Sequence, residues 1–174
     1  SWCTQEFETT AVLTAAGLGH RLLPDDRRIV NDVEIGPPGS VLVVTGSNMS
    51  GKSTLLRATG LNVVLAHAGA PACAVALRLP PTDLQASIRV QDSLELGLSY
   101  FMAALARLKA IVDAAEQPRQ GRVLVYLLDE ILQGTNSAER SIAVRGIIRH
   151  LLDAGAIGAL TTHDLTVASD PPLD

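Results

Sequence analysis

The chain has 174 residues, enough for one domain with a real core, and its 47% hydrophobic content with 3% aromatics predicts a core of Leu, Val, Ile and Ala. A formal net charge of −4 argues against its own surface as a main DNA-gripping face, which is usually basic. Cys3 and Cys73 are too few for a disulfide framework and lack metal-site spacing, so a reducing, cytoplasmic setting is expected, with Cys73 as a small apolar filler.

In chain order, residues 1–27 read as loop, with Gly17, Gly19, Pro24, Asp25 and Asp26. Residues 29–35 alternate apolar and polar side chains and predict a half-buried strand. A Gly36-Pro37-Pro38-Gly39 turn follows, then a continuous apolar run over 41–45, as in a buried parallel strand. A helix is predicted over residues 52–67. The apolar stretch over 61–77 is interrupted by Asn62, His67, Gly69 and Pro71, which excludes a membrane span. Short strands over 73–77 and 87–90 are separated by Pro80 and Pro81. Leu98, Phe101, Met102, Leu105, Leu108, Ile111 and Val112 recur at helical spacing and predict an amphipathic helix ending near Pro118. Residues 123–128 form a second buried strand, 137–152 a helix and 156–161 a third buried strand. Strands alternating with helices predict an α/β fold with a largely parallel sheet flanked by helices.

The chemistry begins at Gly46-Ser47-Asn48-Met49-Ser50-Gly51-Lys52-Ser53, a G-x-x-x-x-G-K-[ST] phosphate loop between a strand and a helix. Gly46 and Gly51 let the backbone turn so that successive N–H groups point inward, and the helix N-terminus adds partial positive charge. Lys52 is expected to reach the β- and γ-phosphates and the Ser53 hydroxyl to bind Mg²⁺. The strand over 123–128 delivers Asp129 and Glu130 to the edge where parallel sheets bind ligands. Asp129 suits the Mg²⁺ side, and Glu130 suits a base that orients and deprotonates the attacking water. Without the phosphate loop, the same pair would read as a turn or a helix cap. The strand over 156–161 brings His163 to that edge, where it can sense the γ-phosphate or simply open a helix. Residues 129–137 read as a polar, Gly-containing segment that touches a partner subunit, caps the next helix through Asn136 or Ser137, or does both. Ser99, alone, is an acceptable N-cap.

The segment from Thr45 to Thr54 resembles the phosphate loop of the MutS family of DNA mismatch-repair ATPases, with Asn48-Met49 as its mark. Asp129-Glu130-Ile131 with Gly134-Thr135-Asn136 resembles the family's second nucleotide motif, Thr162-His163 its switch histidine, and Ser99-Tyr100-Phe101-Met102 its signature helix start. The resemblance runs from about Gly19 onward. It implies an ABC-type P-loop ATPase, using ATP and Mg²⁺, that works as a homodimer with two composite sites. Ser99 would then face the nucleotide of the opposite subunit, Asn48 would lie near the interface, and Ile29 would pack on adenine. Arg28 stands where the family usually has an aromatic, and arginine can also stack on a base.

Ser47, Ser50, Leu132, Gln133 and Ala138-Glu139-Arg140 depart from the usual pattern and suggest a MutS-related side branch. The mismatch-reading, clamp and lever parts of the family are not among these residues, nor are the helices that complete its dimer. Residues 1–174 are expected to be a single ATPase domain from the C-terminal part of a longer protein, cut at its own C-terminus, with duplex DNA held by other domains. Two functions compete: an ATPase that switches a DNA-bound dimer, and a nucleotide-gated dimerisation module with negligible turnover acting on recombination or branched DNA. The absent LSGGQ motif and the Asn-Met loop argue against transporter and chromosome-structure ATPases.

Overall fold

The computed structural model describes residues 2–47, 49–88, 97–117, 120–131 and 137–163, without the side chains of 97–101 and 137–141. Along the chain run β1 (Glu6–Phe7), β2 (Leu13–Leu18), β3 (Asn31–Ile35), β4 (Val41–Thr45), α1 (Lys52–His67), β5 (Ala76–Leu79), β6 (Thr82–Ser87), α2 (Gly97–Ala115), β7 (Val123–Asp129), α3 (Ser137–Asp153) and β8 (Ile157–Thr162). The fold is α/β. Strands β4, β8, β7 and β6 form a parallel sheet in that order. A second sheet, ordered β1-β5-β2-β3, has β2 antiparallel to both neighbours and β1 parallel to β5. Among the described residues, no helix is long and apolar enough to cross a membrane.

The second sheet corrects the loop expected over residues 1–27. Gly17 explains why β2 escapes the alternation test. It sits in the left-handed region at φ +59°, where the β2–β3 register shifts between Ala15 and Leu18. One extra residue therefore separates the buried Leu13 and Ala15 from the buried Leu18. A Cβ at Gly17 would meet Val75 Cγ2 at 2.8 Å, so the bulge requires glycine. The Gly17 N–H donates to Asp32 Oδ1 at 2.8 Å and ties the bulge to β3.

The strands expected over 73–77 and 87–90 lie instead at Ala76–Leu79 and Thr82–Ser87, and residues 89 and 90 fall outside the described residues. Pro80 and Pro81 do separate them, because this is where the chain leaves one sheet for the other. Proline has no N–H for a ladder. Pairing resumes at Thr82, opposite Val123 of β7. β4 is half-buried rather than buried, since among the described residues β8 is its only paired neighbour.

Side-chain alternation in β7 divides the core. Val125 and Leu127 join the cluster containing Leu56, Val63 and Ala66 of α1, while Leu124, Tyr126 and Leu128 meet Leu108 and Ile111 of α2 and Val144 and Leu151 of α3. The α1 cluster also holds Leu13, Leu18, Ile35 and Leu77 of the second sheet. α1 thus buries side chains against two sheets and has no single apolar stripe.

Asn62 locks this arrangement. It is fully buried in α1. Its Nδ2 donates to the Gly19 carbonyl at 3.0 Å and the Ala58 carbonyl at 2.8 Å, and its Oδ1 accepts from the Cys73 N–H at 2.6 Å. One amide thereby satisfies backbone groups after β2 and before β5. Asn62→Ala strands those groups in the core and is expected to cost about 2–3 kcal/mol of unfolding free energy. Urea unfolding measures it, and a loss below about 0.5 kcal/mol, the level of an ordinary surface change, would refute the clamp.

Candidate nucleotide site

The site is built where three strand ends meet. β8 lies between β4 and β7, with Thr162 opposite Thr45 and Thr161 opposite Asp129. Gly46 and His163 therefore leave the sheet side by side, and Asp129 and Glu130 emerge on the other flank of β8.

Between β4 and α1 the loop turns through residues of positive φ: Gly46 at +150°, Met49 at +66° and Gly51 at +89°. Gly51 caps α1 with no side-chain hydrogen bond, so the first-turn N–H groups point toward the loop with the positive end of the helix dipole. Lys52 is only 7% exposed. Its Nζ donates to the Gly46 carbonyl at 2.8 Å and the Ser47 carbonyl at 2.7 Å. Ser47, Met49, Ser50 and Thr54 are exposed around it.

Ser53 Oγ donates to Asp129 Oδ1 at 2.9 Å, across 76 residues of chain. Asp129 is 5% exposed, at the carboxyl end of β7. The same Oδ1 accepts from Thr161 Oγ1 at 2.6 Å. Glu130 follows with φ +47°, a left-handed conformation that is costly for glutamate. Its N–H is shared between Thr161 Oγ1 at 3.1 Å and the Thr161 carbonyl at 3.2 Å. The kink turns the Glu130 carboxylate onto His163 Nε2. His163 Nδ1 lies 3.1 Å from the Gly46 carbonyl. His163 thus bridges the loop after β4 and the carboxylate strand.

The structure gathers Gly46, Lys52, Ser53, Asp129, Glu130 and His163 into one cluster. Asn48, Gly134, Thr135 and Asn136 lie outside the described residues, as does the side chain of Ser99 at the start of α2. Ile29 is 80% exposed. Arg28 is engaged by its own loop, with its side chain 10% exposed. Its Nε donates to the His20 carbonyl at 3.1 Å, its NH2 to the Leu23 carbonyl at 2.6 Å, and it pairs with Asp25. Burial, then the charges of Arg57 and Arg28, hold the neighbouring His20 below its usual imidazole range.

Thr161 carries a role that the sequence does not advertise. A threonine in a buried strand passes for a β-branched core residue, and its only signal is a hydroxyl two residues before His163.

Residues 42–171 match the family model described as MutS domain V. The chain is 35% identical over 149 residues to Endonuclease MutS2 of Thermomicrobium roseum, covering 83% of this chain and 18% of that protein. It is 33% identical over 145 residues to Endonuclease MutS2 of Thermus thermophilus, covering 83% and 18%. Against DNA mismatch repair protein MSH3 of Yarrowia lipolytica it is 34% identical over 136 residues, covering 78% and 13%. The chain spans less than a fifth of the length of these relatives.

The strain at Glu130 has a testable sign. At an ordinary position alanine is no worse than glycine, but at φ +47° alanine carries the left-handed penalty and glycine does not. Glu130→Gly is therefore expected to be more stable than Glu130→Ala by about 1 kcal/mol in urea unfolding. The reverse order would mean that residue 130 is not left-handed.

Proposed function

Because the chain belongs to the MutS domain V family, we propose that it is the ATP-binding, Mg²⁺-dependent ATP-hydrolysing domain of a MutS-like DNA-processing protein, with an ABC-type P-loop fold. One observation carries this reading: the Ser53 hydroxyl meets Asp129 Oδ1 at 2.9 Å beside a buried loop lysine. Two hard oxygens at the mouth of a phosphate loop fit Mg²⁺, which takes few protein ligands and fills its sphere with phosphate and water. When bound, Mg²⁺ supplies charge neutralisation on the phosphates.

The remaining chemistry falls to the chain's own groups. Lys52 exchanges its two carbonyl acceptors for phosphate oxygens. The loop N–H groups, with Gly46, Ser47, Asn48, Met49, Ser50, Gly51 and Thr54 around them, cradle the phosphates. Glu130 orients the attacking water and accepts its proton at the carboxylate now paired with His163. His163 is then released to donate toward the γ-phosphate. Ile29 offers an exposed aliphatic surface to adenine without help from Arg28. A second copy completes each site with Ser99 in trans, and the closed homodimer switches DNA binding by domains outside these residues. The names of the relatives and the net charge of −4 support DNA contact elsewhere, and a cytoplasmic setting is part of the same proposal.

A second reading is a nucleotide-gated dimerisation module with negligible turnover on recombination or branched DNA. The His163–Glu130 pairing favours it, because the candidate base is already engaged.

Mutants separate the two. Lys52→Ala is expected to weaken ATP binding at least about tenfold, and Glu130→Gln to keep ATP while losing about 100-fold or more of turnover. Fluorescent-nucleotide titration and phosphate release measure these, and gel filtration follows ATP-dependent dimers. Turnover that survives in Lys52→Ala would end the ATPase reading. ATP-driven dimers without turnover in the unmutated chain would install the second one.

A further inference from the structure

We infer that Thr161 is a positioning residue that sets both reactive carboxylates through one hydroxyl, an inference that rests on the ATPase reading above for its catalytic consequence. The alternation of β8 places Thr161 on the face of Ile157 and Ala159, which belong to the core shared with α1. On β7 the same face carries Val125, Leu127 and, by period, Asp129. Thr161 is 1% exposed and stands opposite Asp129 in the parallel register. Its hydroxyl therefore sits under the first turn of α1, where Ser53 meets Asp129.

A hydroxyl has one hydrogen to give. Here it goes to Asp129 Oδ1 at 2.6 Å, while a lone pair accepts the Glu130 N–H at 3.1 Å. The rotor has no freedom left. Asp129 Oδ1 collects two hydroxyl donors, Thr161 and Ser53, which fix the plane of the carboxylate. The Glu130 N–H is held by both oxygens of Thr161, and this grip maintains the left-handed kink that aims the Glu130 side chain. The Asp129 carboxylate cannot turn, and the Glu130 backbone cannot relax from its kink, without breaking a bond to the same hydroxyl. Valine has nearly the same shape but no hydroxyl, so Thr161→Val would keep the strand and lose the coupling. Thr161→Ser would keep the coupling and lose one methyl.

The test combines amide hydrogen exchange at Glu130 with steady-state ATP turnover on the unmutated chain, Thr161→Val and Thr161→Ser. Circular dichroism first establishes that each is folded. Thr161→Val is expected to speed Glu130 amide exchange at least about tenfold and to lower kcat about tenfold, with KM for ATP within about twofold. It is also expected to raise the Mg²⁺ concentration needed for half-maximal rate. Thr161→Ser is expected to restore all of these, which a packing role alone would not do. Unchanged Glu130 exchange in Thr161→Val overturns the inference, as does altered exchange with unaltered turnover. Failure of Thr161→Ser to rescue also overturns it. Absence of Mg²⁺-dependent turnover in the unmutated chain would instead overturn the ATPase reading, and the Glu130 amide would still decide whether Thr161 holds the carboxylate segment.

Discussion

The insertion of β8 between β4 and β7 sets the height at which every reactive side chain leaves the sheet. Parallel pairing on both sides fixes Thr162 against Thr45 and Thr161 against Asp129. A slip of one residue would turn Thr161 to the opposite face and carry His163 away from Gly46. The fully buried flanks of β7 and β8 hold that register, because slipping would expose Leu127 and Leu160 or push them into the wrong core. Site geometry here is thus a by-product of hydrophobic registration, and the polar bonds among Ser53, Asp129 and Thr161 refine a position that packing has already chosen.

The elements legible in the sequence are those whose signal is local. The G-x-x-x-x-G-K-S loop pattern marks the start of α1, and β7 and β8 announce themselves as apolar runs, as strands covered on both faces do. What is illegible depends on partners far along the chain. β1 pairs with β5 across some seventy residues, so nothing near Glu6 reveals it. β2 hides behind the bulge at Gly17. Val41–Thr45 looks buried because its composition is apolar, although its half-exposure comes from its place at the rim of the paired strands.

The site follows the same division. Lys52, Ser53, Asp129 and Glu130 are marked by residue type and spacing, so the amino-acid sequence alone is enough to name them. Arg28 and Thr161 are not marked in that way, because their roles lie in hydrogen bonds rather than in composition. Arg28 has the chemistry of a base-stacking cation and is a tether for the turn before β3. Thr161 has the shape of core filler and is the hydroxyl that joins the Asp129 carboxylate to the Glu130 N–H. A buried side chain of mixed character gives no sequence signal of which half of it matters.

The bridge from His163 to Gly46 spans 117 residues. Among the described residues, β4 acquires its parallel neighbour only when β8 exists. On a ribosome adding about 5–20 residues per second, that wait is on the order of ten seconds. During it, the apolar β4 and the glycine-turned loop behind it have been made while their partners have not. The ladder of β2 with β5 and the Asn62 bonds involve nothing beyond residue 79, whereas the core beneath α1 is completed only by Val125, Leu127, Ile157 and Ala159. The nascent chain thus carries its first hydrogen-bonded elements around an unfinished site until β8 emerges, and whatever shelters β4 in that interval guards the step on which the loop after β4 depends.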